Sequence, residues 1–506
     1  MSRSPRRAIP VACAVLALAS AAPAQLIQIK TVPVAQADQF DLFPSRSFAM
    51  GGVSIAVDDP WLDPFVNPAK GVRLKAGRVA GAPGVFSVSN DAGGGRTLPI
   101  SALVSGGSWF GGLALAFQEI DDARDVFGIT QQFGVLERAS SVAPLPIQQP
   151  SRQSRGNKFV HAMIGTPLGD GSLSLGASLQ WAELNAIDGV DFLYARALDL
   201  KQFGHVVDAR VGLLKQWEGK RSLEAMLLHN RIDMAHDVSY LDWFWDPEQR
   251  QSVPRERIEH NDDRTNTWGA HLEYEQPLRG EGWRAGARFT VNLASHPKIP
   301  NYEIMNIPRD PGRSHAYNIG LGVSRELLGT TWGIDAIFEP IRSHTWADAE
   351  APVETVGGQT IPAGARTIEN WFSFSNAMLR FGVTEERRVV DSETLFALQF
   401  GLALRVISYD LKQVDHVQLT ERGQREYWNE WMPTWGLRME LPGIAIAYRG
   451  SLTSGTGRPG VAGRGGDIVI AEASSASNIL IAPSGPLSLD GVNIVSHQVS
   501  ISLPIR

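Results

Sequence analysis

Residues 394–407, Thr-Leu-Phe-Ala-Leu-Gln-Phe-Gly-Leu-Ala-Leu-Arg-Val-Ile, alternate between two kinds of side chain. One alternate set is large and apolar: Phe396, Leu398, Phe400, Leu402, Leu404 and Val406. The set between them is small or polar: Ala397, Gln399, Gly401, Ala403 and Arg405. A period of two places the sets on opposite faces of a β-strand, whereas a helix would scatter each set around its surface.

The same alternation returns along the chain from about residue 98 onward. Comparable runs begin at Gly171 and Trp283 and surround Trp268, and the chain ends in another, Val495 to Arg506. Each run is roughly 10 residues long, which suits a tilted strand that crosses a bilayer.

The connections alternate in length. Tight turns are predicted near Gly106-Gly107, Pro167–Gly171, Glu218–Arg221, Pro277–Gly282, Leu328–Thr331 and Pro442-Gly443, with a charged link from Glu385 to Glu393. Long polar segments separate them, at about 120–157, 184–205, 233–264, 296–313, 343–366, 410–427 and 452–488. Short connections on one side and long ones on the other are typical of outer-membrane barrels.

The polar alternate face distinguishes a barrel from a soluble β-sandwich, which alternates in the same way. A barrel would line its lumen with the charged members of that face: His271, Glu273, Glu275, Arg284, Arg288, Arg405, Arg438 and Glu440. Aromatic residues at strand ends, such as Trp371 and Trp431, fit an interfacial girdle. We therefore predict an all-β fold, a transmembrane antiparallel β-barrel of about 14 strands within a range of 14–16.

The first 24 residues indicate export. Arg3, Arg6 and Arg7 precede an apolar run from Ala8 to Ala19, and Ala22-Pro23-Ala24 is a small-x-small cleavage site. The alternative, a transmembrane anchor, would need a longer apolar run. The only cysteine, Cys13, lies in this leader, so the mature chain is expected to hold no disulfide and no cysteine-based metal site. The formal net charge of −6 argues against a nucleic-acid partner.

Residues 25–78, the N-terminal segment, differ from the rest. Gly51-Gly52 permits close backbone approach and positive φ, and Asn67-Pro68 fits a helix start with Asn67 as N-cap. The segment is too short to bury a core of its own. The expected division is therefore a signal peptide at 1–24, a plug within or against the barrel at 25–78, and the barrel at 79–506.

The stretch Ser45 to Gly71, with Ala49-Met50-Gly51-Gly52, Asp58-Asp59 and Asn67-Pro68-Ala69, resembles the N-terminal pattern of the FadL superfamily of outer-membrane transport proteins. The same pattern opens the PorV-like proteins of type IX secretion. Lys70 departs from it, because family members usually continue Asn-Pro-Ala directly into Gly. Trp61, Pro64 and Phe65 also make this linker bulkier.

The resemblance implies a barrel of about 14 strands closed by an N-terminal hatch, in the outer membrane of a Gram-negative-type bacterium. Met50, Gly51, Gly52, Asn67, Pro68 and Ala69 would be conformational hatch residues. The implied function is uptake of hydrophobic small molecules such as fatty acids, by hatch movement and lateral exit. The alternatives are a PorV-like shuttle or anchor for secreted proteins and a purely structural barrel. Expected partners are a hydrophobic molecule or lipid, outer-membrane lipid and lipopolysaccharide, and, under the shuttle alternative, a secreted protein.

Candidate ligand contacts are aromatic. The segment 240–247 carries Tyr240, Trp243, Phe244 and Trp245 and is predicted as an outer loop, which would either capture ligand or fold over the barrel mouth. Phe43 and Phe48 are candidates in the N-terminal segment. Arg288 would hold a carboxylate or pair with a facing acid.

No cofactor, metal ligand or catalytic residue is predicted. The residues Asp58, Asp59 and Asp63 lack EF-hand spacing and fit turn capping better than calcium binding. The chain carries no Gly-x-Ser-x-Gly, His-Glu-x-x-His or phosphate-loop motif. We therefore expect a protein that is not an enzyme.

Overall fold

The computed structural model describes residues 26–27, 39, 42–89, 93–121, 154–187, 197–248, 250–296, 311–389, 392–455 and 493–505. The predicted signal peptide lies outside these residues. Among the described residues, helix occurs only in the N-terminal segment, as α1 (Asp63–Val66) and a 3₁₀ turn at Pro68–Arg73. Within the described chain, no helix has the length and apolar character needed to cross a membrane.

The first half of the sheet contains strands that begin short and become long. They are β1 (Gly77–Gly81), β2 (Gly84–Val88), β3 (Gly94–Ser105), β4 (Phe110–Asp121), β5 (Ser154–Leu168), β6 (Leu173–Leu184), β7 (Ala197–Trp217), β8 (Arg221–Asp246), β9 (Gln251–Pro277) and β10 (Trp283–Ser295).

The second half is similar. Its strands are β11 (Gly312–Leu327), β12 (Thr330–Asp348), β15 (Arg366–Arg388), β16 (Leu395–Asp415), β17 (Thr420–Leu441), β18 (Ile444–Ser454) and β19 (Asn493–Ile505). Two further strands, β13 (Val353–Glu354) and β14 (Thr360–Ile361), form a separate small hairpin between β12 and β15.

The main sheet closes on itself into a barrel. From β2 to β19, each strand of this sheet pairs antiparallel with the next one along the sheet, and β19 pairs with β18 on one side and with β1 and β2 on the other. The 17 strands of this sheet occupy 16 wall positions, because β1 and β2 lie end to end between β19 and β3. The best single expectation of 14 strands was therefore two too low, although 16 falls within the predicted range and is even.

The predicted sidedness of the strands is confirmed. On β16, Phe396, Leu398 and Phe400 are 40%, 52% and 57% exposed, whereas Ala397 and Gln399 are 0% and 6% exposed. Six of the eight charged residues assigned to the lumen, Glu273 and Arg438 among them, are buried, and the other two, Arg284 and Glu440, are half-buried. An exposed apolar outer face and a buried polar inner face are what lipid outside and a filled lumen require.

The predicted tight turns are confirmed at one end of the barrel. Strands meet there across residues 106–109, 169–172, 218–220, 278–282, 328–329, 389–394 and 442–443. We call this the turn end and the opposite end the loop end. The predicted loop segments 120–157, 296–313 and 452–488 fall largely outside the described residues.

Four of the predicted long loops were wrong in part, because strands continue through them. Segment 184–205 contains the first nine residues of β7, 197–205. β8 and β9 pair without interruption from Ser222 opposite Glu275 to Asp246 opposite Gln251, so 233–264 is a tall hairpin. Segments 343–366 and 410–427 likewise contain the loop-end parts of β12, β16 and β17. Strand pairing beyond the bilayer needs no apolar face, so alternation could not reveal it.

Candidate functional site

The N-terminal segment crosses the inside of the barrel. Side chains of the inner face donate hydrogen bonds to its backbone carbonyls: Ser174 to Ala69, Arg210 to Val66, Ser324 to Ala56, Arg380 to Gly52 and Gln399 to Arg46. These donors lie on β6, β7, β11, β15 and β16, which stand on different sides of the wall. The segment therefore lies within the lumen.

The Asn67-Pro68-Ala69 motif is fixed at both ends. Asn67 accepts a hydrogen bond from the Ala69 amide at 3.1 Å, which confirms its predicted capping role. Its amide nitrogen donates to Glu224 Oε2 on β8 at 2.8 Å. A Cβ on Gly212 would stand 1.9 Å from Asn67 Oδ1, so only glycine admits this contact.

Lys70, the residue that departs from the family pattern, places a positive charge beside Glu224, the carboxylate that Asn67 also contacts. Its ammonium lies 3.0 Å from Glu224 Oε1 and 3.7 Å from Asp63 Oδ1. Burial alone would lower the pKa of Lys70, but the carboxylates of Asp63, Glu224 and Glu273 outweigh it and raise this pKa. Burial raises the pKa of Asp63 to about 7, against the opposing effect of Lys70.

Three further ion pairs continue the network. Asp58 contacts Arg73 Nη1 at 2.6 Å and Arg284 Nη1 at 2.7 Å. Arg288 donates to the Glu273 carboxylate, so the lumen pairing anticipated as an alternative for Arg288 is confirmed. The three aspartates do not share one role. Asp58 and Asp63 are ion-paired, while Asp59 accepts from the Trp61 amide of its own turn and from the more distant amides of Arg46 and Ser47.

Three side chains of this network could in principle hold a metal. Ligand atoms of Glu224, His271 and Glu273 lie within 4.8 Å of one another. Lys70 and Arg288 already contact the two carboxylates, and His271 Nδ1 lies 2.8 Å from Thr290 Oγ1. The arrangement therefore fits an ion-pair network that docks the N-terminal segment.

Gly51 and Gly52, which we call the glycine hinge, pack with Met50 directly against glycines on the inner face of the wall. A Cβ on Gly401 would lie 2.0 Å from the Gly51 nitrogen, and one on Gly382 would lie 2.2 Å from the Met50 oxygen. Gly51 and Gly52 have φ of +68° and +73°, as their predicted role required. Thr434 Oγ1 accepts from the Gly51 amide at 2.9 Å and donates to the Ala49 carbonyl at 2.7 Å.

Phe43 and Phe48 both lie in the lumen but at separate places. Phe43 stacks on Phe65 with ring centroids 4.1 Å apart. Phe48 lies under the guanidinium of Arg449 at 3.5 Å and borders a cavity of about 60 Å³. The cavity wall is completed by Gln39, Gly84, Val85, Phe86, Thr97, Ser451, Thr453, Ser496, His497 and Gln498.

The wall beside this cavity lacks backbone donors at two neighbouring points. Val499 donates to the Pro83 carbonyl at 3.0 Å and Ala82 donates to the Pro99 carbonyl at 3.1 Å. In each case the return bond is absent because proline has no N–H. Among the described strands, every position in the barrel wall is filled by a single strand except the one that β1 and β2 share. Pro83 lies between β1 and β2, with β19 on one side and β3 on the other. We call the wall at this point, where the divided position meets these two strands, the seam.

The aromatic segment 240–247 is not the loop that was predicted. Residues up to Asp246 belong to β8, and Trp243 pairs with Pro254 of β9. Tyr240 is buried beneath Arg257, whereas Trp245 is 64% exposed near the tip of the hairpin. Tyr240 therefore belongs to the wall, and Trp245 has the exposure that ligand capture needs.

Sequence reasoning missed the residues of the wall that receive the N-terminal segment. These are chiefly Glu224, Gly382, Gly401 and Thr434. Asp335 belongs with them, because it accepts from the Ser54 and Ile55 amides at 2.7 and 3.2 Å. The sequence did contain one signal. Gly401 falls on the inner face of a strand, and a glycine inside a strand often marks a place where another backbone comes close.

An all-antiparallel closed barrel with an apolar exterior and a polar, filled interior defines an outer-membrane type of β-barrel. No family model matches this chain, and no curated protein matches it.

Solved structures do show likeness. A FadL homologue from Pseudomonas aeruginosa is 12% identical over 94% of this chain and 100% of that one, with a TM-score of 0.40. The toluene transporter TbuX from Ralstonia pickettii is 11% identical over 92% and 100%, with a TM-score of 0.38. A bacterial polysaccharide outer membrane secretin is 7% identical over 85% and 99%, with a TM-score of 0.37. The barrel's own closure and sidedness, and not these likenesses, carry the assignment to the class.

Proposed function

We propose that this chain takes up hydrophobic small molecules, such as fatty acids, across the outer membrane. The observation that carries the proposal is the combination of a lumen crossed by the N-terminal segment and a weakly bonded seam beside an internal cavity. A segment tied to many strands obstructs a direct aqueous path, so a cargo needs another exit.

The route we propose has three steps. A ligand is captured at the loop end, enters the lumen, and leaves sideways at the seam when the N-terminal segment shifts. Phe48 and Arg449 border the cavity through which it would pass. Met50, Gly51, Gly52, Asn67, Pro68 and Ala69 would act as the hatch by which the segment docks and moves.

Lateral exit suits apolar cargo on energetic grounds. Removing a CH₂ group from water gains about 0.8 kcal/mol, so a long alkyl chain strongly favours direct passage into the bilayer. The exposed apolar belt, which includes Leu98 and Ile100 of β3 near the seam, would be covered by outer-membrane lipid. Lipopolysaccharide is the proposed neighbour of its outward-facing part.

The protein-shuttle alternative depends on large outer loops. The longest connections, 122–153 and 456–492, lie outside the described residues. The contacts of the N-terminal segment with the lumen wall and the seam beside the cavity are what support transport.

Uptake by whole cells tests the proposal. The full chain is expressed in a Gram-negative host that lacks its own hydrophobic transporters, and entry of a labelled long-chain fatty acid is followed against labelled sucrose. We expect fatty-acid entry above the empty-vector rate without entry of sucrose. Fatty-acid entry at the empty-vector rate, or equal gain for sucrose, would contradict the proposal.

The same assay examines capture. Trp245→Ala should slow uptake at limiting ligand but not at saturating ligand, because capture matters only when ligand is scarce. Trp217→Ala is the matched control, since Trp217 is also exposed but lies at the turn end. Equal rates for the two variants would remove Trp245 from the capture step.

A further inference from the structure

A buried polar layer crosses the inner face of four neighbouring strands towards the loop end. Glu339 on β12 lies opposite Asn376 on β15, and Asn318 on β11 donates to Glu339 Oε1 at 2.7 Å. Arg405 on β16 completes the layer and contacts Glu430 Oε2 at 3.5 Å. None of these five side chains is more than 10% exposed.

Apolar clusters flank the layer on both sides. The cluster towards the turn end contains Ile55, Ile337, Met378, Ala403 and Met432. The cluster towards the loop end contains Ala316, Ile341, Phe372, Phe374, Ile407 and Leu411. An amphipathic molecule with its polar group at this depth would therefore meet apolar surface above and below it.

Four polar atoms of the layer have no hydrogen-bond partner among the described residues. They are both amide atoms of Asn376, which is 0% exposed, together with Asn318 Oδ1 and Arg405 Nε. A buried polar group without a partner costs about 1–3 kcal/mol. The layer thus contains two donor atoms and two acceptor atoms without a described partner. Buried polar atoms of this kind are rare in folded proteins and call for a specific explanation.

The charges of the layer are already balanced. Arg405 faces Glu430, and Glu339 interacts with the positive charges of Arg405 and Arg380. An added ion would upset this balance in a poorly solvated place, whereas an uncharged group would not. The open atoms require a group that both donates and accepts.

We propose that Asn376, with Asn318 and Arg405, binds the uncharged polar head of an amphipathic cargo, a hydroxyl or a carboxamide on an alkyl chain. This inference rests on the proposed transport function and narrows its substrate class. Hydrogen bonds from the head group would satisfy Asn376 while the alkyl chain lies against the flanking apolar clusters.

Ligands of equal chain length test the site. Binding of dodecane, 1-dodecanol and dodecanamide to the full-length purified barrel is measured by competition against a fluorescent fatty acid. The wild-type chain should bind the alcohol and the amide about tenfold or more tightly than the alkane, since an unpaired buried group is worth 1–3 kcal/mol. In Asn376→Leu this preference should disappear while the alkane still binds.

Folding of the variants is checked by heat-dependent electrophoretic mobility. Asn376→Leu removes a group without a described partner and keeps the number and branching of the side-chain heavy atoms, so the barrel should form. Asn376→Ala provides the same test if the larger leucine methyl groups do not fit. Thr384→Val is the matched control. It removes an unpartnered buried hydroxyl of the same strand, eight residues and roughly 26 Å nearer the turn end, and should leave the preference intact.

The possible outcomes distinguish failure of the head-group site from failure of the proposed transport function. Equal binding of all three ligands by the wild-type chain, or a preference that survives in Asn376→Leu, overturns the head-group site alone. Binding of none of the ligands, the fluorescent fatty acid included, overturns the transport function as well.

Discussion

Lys70→Met is expected to release the N-terminal segment from the barrel wall. The variant leaves Glu224 and Asp63 in a buried place without the cation that now contacts both. Breaking a buried ion pair by removing one partner costs roughly 3–5 kcal/mol, or more than a hundredfold in the docking equilibrium. Amide hydrogen exchange in residues 58–73 should accelerate accordingly, while the barrel strands keep their protection.

Two variants distinguish loss of the pair from general damage. Lys75→Met removes an exposed lysine five residues away and should leave exchange unchanged. Lys70→Met combined with Glu224→Gln should recover much of the protection, because the uncompensated carboxylate is then gone. Wild-type exchange rates in Lys70→Met would show that the ion pair does not hold the segment.

Gly401→Ala should displace the glycine hinge from the wall. The added Cβ would lie 2.0 Å from the Gly51 nitrogen, and the atom it meets belongs to backbone that cannot rotate away. Overpacking of this kind costs about 1–3 kcal/mol, whereas alanine itself is tolerated on a strand. Cleavage by an added protease near Gly51-Gly52 should therefore be faster than in the wild-type chain.

Gly423→Ala is the control for this variant. Its Cβ would meet nothing nearer than 3.7 Å, so the N-terminal segment should remain protected. The same cleavage rate in both alanine variants would mean that the hinge does not depend on close contact with β16.

The strand pattern of this chain could be predicted where lipid imposes it. At residues 394–407 the outward side chains must be apolar and the inward ones need not be, which produces a strict period of two. Beyond the bilayer both faces of a hairpin are polar, as at 251–264, and the period disappears. At 240–247 apolar residues fall on both faces, so the period is lost there as well, and the loop predicted for that segment was wrong.

The interior was harder to predict because its contacts join distant parts of the chain. Asn67 and Glu224 are 157 residues apart in sequence, and neither residue type announces the other. In the sequence, Lys70 stood out only as a departure from the family pattern. Its ion pairs with Asp63 and Glu224 explain why a lysine occupies this position. The hatch positions Gly51 and Asn67 could be named from the resemblance, whereas the wall glycines that accept them could not.

A reversible cross-link at the seam tests lateral exit most directly. Gly81 lies opposite Ile501 and Gly84 opposite Gln498, so Ala82 falls opposite Ser500 across the seam. Ala82→Cys with Ser500→Cys places two small inward positions within disulfide reach. The only native cysteine lies in the predicted leader, so no other thiol of the mature chain should compete.

Fatty-acid uptake by this double variant is measured before and after reduction, with binding to the purified barrel followed in parallel. The control is Ser101→Cys with Ala114→Cys, a facing pair on β3 and β4 that leaves the seam free. We predict that oxidation of the seam pair lowers uptake to the empty-vector rate, that reduction restores it, and that binding persists throughout. Uptake that continues at the control rate with the seam disulfide closed would contradict lateral exit at Pro83.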